Sequence, residues 1–105
     1  MPGSVAAVGI VACAATISVG FVLAGSAAVF GQRLAGAADA AALAAADAAS
    51  GAVSGIPCES AELIARAADA ELSACEINIL TVTVTVSAGF AGLRATASAR
   101  AGPPP

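Results

Sequence analysis

Cys13, Cys58 and Cys75, together with seven carboxylates and four arginines, hold almost all the reactive chemistry of this 105-residue sequence, which has no histidine, tyrosine or tryptophan. Without an imidazole or a phenol, the usual proton carrier near neutral pH and the commonest metal ligand are both missing. No base accompanies Cys58 or Cys75, and isolated carboxylates such as Asp39 and Asp47 have no spacing that assigns acid and base roles. Two thiolates without histidine do not fill a tetrahedral zinc site. The expectation is a non-enzymatic protein with no cofactor and no metal.

The remaining polar chemistry excludes two further classes of partner. Arg33, Arg66, Arg94 and Arg100 are scattered and the net charge is -3, so no basic stripe faces a row of phosphates and nucleic acid is not expected as a partner. Gly31 and Gly36 belong to an apolar helical run rather than to a strand-to-helix turn, and there is no lysine, so no nucleotide site is expected either.

What Cys58 and Cys75 can do is pair. In an oxidising compartment two cysteines in a small domain usually form a disulfide, and closing the loop between them would stabilise the fold by roughly 3 kcal/mol. Free thiols and an intermolecular bond are the alternatives. A bond also constrains the elements: a straight helix over residues 59–73 would hold its ends about 20 Å apart, whereas bridged Cα atoms sit within about 7 Å. The pairing therefore predicts a helix that stops near Ala68 to Ala70, with Leu72 to Ile77 returning beside it as an extended strand that turns near Asn78. Cys13, inside an apolar run, reads as a small apolar filler.

The elements that would carry these residues are legible from periodicity. Hydrophobic residues make up 59% of the chain and charged ones 10%, and no charged side chain occurs between Met1 and Gln32. As a helix the run from Val5 to Gly31 would be about 40 Å long, more than the roughly 30 Å hydrocarbon core of a bilayer. It is expected to cross a membrane. Within it Ala12, Thr16, Gly20, Ala24 and Ala28 recur at i, i+4, a small-residue ridge along which another helix could pack. Leu34 to Ser50 is alanine-dense and free of proline, which extends the helix out of the membrane until Gly51, Ser54, Gly55 and Pro57 end it.

A second helix is marked by Ala61, Ile64, Ala65, Ala68 and Leu72, with Glu59 and Glu62 in its first turn. Beyond Cys75 the period changes to two. Leu80, Val82, Val84 and Val86 alternate with Thr81, Thr83, Thr85 and Ser87, Ala88 to Gly92 turn the chain, and Ala95, Ala97, Ala99 and Ala101 alternate with polar residues on the return. The predicted fold class is α+β. Residues 1–31 form a transmembrane helix, 32–50 its extension, 51–101 a small head with a short helix and an antiparallel β-meander, and 102–105 a frayed, disordered tail.

The stretch GQRLAGAADAAALAAADAAS at residues 31–50, following an uncharged membrane helix that opens with Gly3 and Ser4, resembles the TadE/TadG-like pilus-assembly proteins of the tight-adherence (Flp pilus) system, closest to the short bacterial TadE-like proteins. The most specific piece is AADAAALAAA at residues 37–46; the order of cysteine, helix, cysteine and Val/Thr strand is similar over nearly the whole chain. The resemblance implies a minor pilin-like (pseudopilin) subunit of a pilus or secretion apparatus, single-pass in the cell membrane, with its N-terminus cytoplasmic and its C-terminal head extracytoplasmic. Other pilin-like or secretion-apparatus subunits would then be partners through the N-terminal helix. It also implies a processing site for a prepilin peptidase between Gly3 and Ser4. No basic leader precedes Gly3, and Val8 stands where a pilin glutamate is expected, so an unprocessed anchored subunit is an equal expectation. The alternative from a different class is a secreted α+β binding module, its residues 1 to about 30 removed as a signal peptide.

Overall fold

The computed structural model describes residues 1–104; Pro105, the last residue of the expected tail, lies outside the described residues. Five elements follow in chain order: helices α1 (Pro2–Ser50) and α2 (Pro57–Ala67), then strands β1 (Glu71–Asn78), β2 (Thr81–Phe90) and β3 (Leu93–Ala101). The strands form one antiparallel sheet in the order β1-β2-β3. The architecture is α+β, with a long apolar N-terminal helix, a short second helix and a three-stranded meander.

Helix α1 is one unbroken rod of 49 residues. At 1.5 Å per residue it is about 74 Å long, and it sets the longest dimension of a molecule measuring 76 × 27 × 17 Å. Nothing between Pro2 and Ser50 interrupts it because the only proline sits in the first turn, where its missing N–H costs no hydrogen bond. Gly51 ends it in the left-handed conformation at φ 81°, its N–H donating to Ala48 O and the N–H of Ala52 donating to Asp47 O.

The head is built on the C-terminal part of that rod. Leu34, Ala37, Ala38, Ala41, Ala42 and Ala45 are buried against the inner face of the sheet and against α2. Alanine is what allows this, since a helix face without longer side chains brings its backbone close to its neighbours. From the other side come Val82, Val84 and Val86, the largest fully buried side chains, flanked by Ala95, Ala97, Ala99 and Ala101 of β3. Helix α2 covers the β1 side with Ala61 and Ala65 buried, and it ends in a paired cap. Ala70 N–H donates to Ala65 O and Asp69 N–H to Arg66 O, with Asp69 at φ 57°. Residues 32–50 are thus one layer of the head itself, not a spacer beneath it.

One register detail decides the face that β1 presents. Leu72 and Cys75 are three residues apart and would point to opposite sides of a regular strand. A bulge between Leu72 and Ala74 restores both to the inner face, opposite Val86 and Val84, and the displaced Ser73 donates its hydroxyl to Thr85 O. The outer face is polar, with Thr85 hydrogen-bonded to Ser98, Arg100 to Thr83, and Arg94 to Ser87 and Glu71.

Helix α2 stops at Ala67 with its cap on Ala68 to Ala70, as the disulfide constraint predicts. Two boundaries differ from the sequence expectation. Leu80 lies in the β1–β2 turn rather than on β2. The five-residue turn expected at Ala88 to Gly92 is a two-residue loop, Ala91 and Gly92, both at positive φ, so that Ala88, Gly89 and Phe90 stay paired in the ladder. This is the hairpin geometry whose twist matches that of the flanking strands.

Candidate functional site

Every residue from Met1 to Val29 is exposed, and Phe30 is the first of the chain to be partly covered. Val5, Val8, Ile10, Val11, Ile17, Val19, Phe21, Val22 and Leu23 present a continuous apolar surface around the whole circumference of the rod, at 59–74% exposure each. In water such a surface would be strongly unfavourable; in hydrocarbon it is the ordinary exterior of a spanning helix. The helix is long and apolar enough to cross a membrane, and none of its most apolar window is buried within the chain. Two hydroxyls midway along it are satisfied internally: Thr16 Oγ1 donates to Ala12 O and Ser18 Oγ to Ala14 O, each at 2.8 Å, which leaves no demand for water at those positions.

The small-residue ridge of Ala12, Thr16, Gly20, Ala24 and Ala28 lies wholly on this exposed part, and nothing among the described residues covers it. A Cβ added at Gly20 or Gly25 would meet nothing within 4 Å, so these glycines are not required by any contact inside the chain. Gly3 and Ser4 are exposed in the first helical turn, directly after Pro2.

Cys58, in the first turn of α2, and Cys75, midway along β1, are joined by a disulfide with their Cα atoms 6.0 Å apart. The bridge ties α2 to the strand at an edge of the head where few large apolar side chains meet. Cys13 is a free, exposed thiol on the apolar rod. Among the described residues, no group of three His, Cys, Asp or Glu side chains is placed to hold a metal ion. Asp39 and Asp47 are exposed on α1.

Phe90 at the end of β2 stacks on Phe30 of α1, ring centroids 4.9 Å apart at 26°. A shallow concavity beside this pair is lined by Val22, Gly25, Ser26, Val29 and Arg33. The sequence carries only half of the signal for the loop after Phe90: Gly92 suits a positive φ, but Ala91 stands at φ 51° where Asn, Asp or Gly is the usual mark of a two-residue hairpin.

The chain matches no protein-family model, no curated protein and no solved structure.

Proposed function

We propose that this protein is a non-enzymatic, membrane-anchored, minor pilin-like subunit of the TadE-like kind, serving a pilus or secretion apparatus. The observation that carries the reading is the continuity of α1: one rod supplies an apolar surface with no partner over residues 1–29 and a packed layer of the head from Leu34 onward. A rod of this form couples the head rigidly to whatever surrounds the apolar part, which is the mechanical requirement of an assembly component. The likeness of residues 31–50 to TadE-like proteins gives the reading its family.

The disulfide supports an extracytoplasmic head, since such bonds persist in oxidising compartments. With the head outside, the N-terminus is cytoplasmic and the chain crosses once. In this role the ridge from Ala12 to Ala28 is the face offered to neighbouring subunits, and no reaction is assigned to any residue.

Mass spectrometry of the protein recovered from the membrane fraction, with and without reduction, tests the reading. The expected result is a membrane-retained chain that begins at Met1, Pro2 or Ser4 and contains the Cys58–Cys75 bond; a start at Ser4 would add pilin-type processing. A soluble product lacking about the first 30 residues would replace this reading with the secreted module.

A further inference from the structure

Three observations concern the end of the head that lies nearest the apolar rod. First, β2 runs antiparallel to α1: Val82 packs in the cluster with Ala41, Ala42 and Ala45, Val86 in the cluster with Leu34 and Ala38, and Phe90 reaches Phe30. The loop that follows, Ala91 and Gly92, therefore continues toward the N-terminal part of the rod, and Phe90 already shares a concavity with Val22, Gly25 and Ser26. Secondly, that tip is apolar, with Leu93 exposed at 75%. Thirdly, charge is unevenly divided along the molecule. Arg33 and Asp69 line the surface beside Phe30 and Gly89, and Arg94 pairs with Glu71, so the charge at the tip sums to zero and the net charge of -3 lies in the rest of the head.

The apolar run is longer than a bilayer needs. About 20 helical residues cross the roughly 30 Å hydrocarbon core, whereas the run extends from Val5 to Gly31. Backbone groups in the turn of a hairpin cannot enter hydrocarbon, because those outside the ladder would have no hydrogen-bond partner there. The hydrocarbon segment must then lie below the hairpin tip, toward Met1. Placed at about Val5 to Ala24, it leaves residues 25–32 and the tip together in the headgroup layer.

We propose that the Phe90–Leu93 hairpin is a foot seated in the headgroup layer of the same bilayer that α1 crosses, its partner being the lipid surface. The foot sets the depth of the helix and fixes the head upright on the membrane. Phe90, backed by Phe30, and Leu93 meet the upper acyl chains; Arg33, which has no ion-pair partner among the described residues, is left to reach lipid phosphate. The uncharged balance near the tip allows its approach to an anionic surface, and the net negative charge lies elsewhere on the head. The inference rests on the membrane-anchored reading above.

The absence of tryptophan and tyrosine makes a single introduced tryptophan a unique reporter. Leu93→Trp, Ile79→Trp at the opposite tip of the sheet and Val11→Trp in the rod are all at exposed positions. Each full-length variant is reconstituted into phosphatidylethanolamine/phosphatidylglycerol vesicles doped with lipids brominated near the headgroup or near the chain ends. The foot requires that the Leu93→Trp reporter be quenched several-fold more than the Ile79→Trp reporter by the headgroup-proximal bromines, with blue-shifted emission, while the Val11→Trp reporter responds most to the chain-end bromines. Equal, aqueous behaviour at positions 93 and 79 with position 11 still quenched by lipid would overturn the foot and leave the anchor standing. Loss of lipid quenching at position 11 as well would overturn both.

Discussion

Ile79 holds the first central position of the β1–β2 loop at φ 60°, a conformation in which a β-branched side chain crowds its own backbone. Its side chain is 87% exposed and gains nothing in return from packing. Ile79→Gly is therefore expected to stabilise the head by about 1 kcal/mol, read as a rise in the midpoint of chemical denaturation. The opposite sign is expected at the inner face of α1. Ala38 and Ala41 have no exposed surface, and the close approach of the helix to the sheet depends on their size. Ala41→Leu should cost about 1–3 kcal/mol through overpacking, and the same denaturation curve would record it as a lowered midpoint. Arg94 behaves as neither of these. Its ion pair with Glu71 is exposed on both sides and contributes little, so the cost of Arg94→Ala, about 1 kcal/mol, should come from the lost hydrogen bond to the buried Ser87.

Among the elements, the sheet and α2 depend on one covalent tie. The core they share has valines as its largest fully buried side chains, and most of the rest is alanine, which buries little area per residue. With so little apolar area available, the Cys58–Cys75 bridge is a large part of the stability. The double substitution Cys58→Ser with Cys75→Ser is expected to lower unfolding free energy by about 3 kcal/mol, measured on the head in parallel with a reduced and an oxidised sample of the unaltered chain. A reduced sample as stable as the oxidised one would remove the bridge from this account. The bulge at Ser73 belongs to the same scale: it is the device that lets Cys75 and Leu72 share the inner face, and deleting Ser73 should turn one of them outward and loosen the sheet edge.

At the scale of the whole molecule, the rod and the head are physically distinct halves that share one helix. The radius of gyration is 21.1 Å, against about 13 Å for a compact chain of this size. A version beginning at Gly31 keeps Leu34 and every buried alanine of α1 and loses only the Phe30–Phe90 stack and the apolar rod. It is expected to be folded, disulfide-bonded and soluble without detergent, whereas the full chain should require detergent or lipid; sedimentation and circular dichroism of the two would test this. An unfolded shortened chain would mean that the rod contributes to the head's stability beyond the Phe30 contact.

Periodicity and composition alone specified a great deal here. A charge-free run of small and apolar residues of this length reads as a helix that is apolar on every face, and a Val/Thr alternation as a half-buried strand, because each is the arrangement that separates apolar from polar groups. The position of the disulfide narrowed the course of the chain between α2 and β1 for the same reason, through distance. What the sequence left open were the places where neighbouring elements compete for one residue. Whether Ala88, Gly89 and Phe90 turn or stay in the ladder depends on Phe30, sixty residues away, receiving the ring of Phe90. Whether residues 32–50 are stalk or core depends on two layers meeting across alanines that carry almost no pattern of their own. Local preference settles the type of an element, but its ends and its partners are set by which surfaces meet when all the elements pack at once.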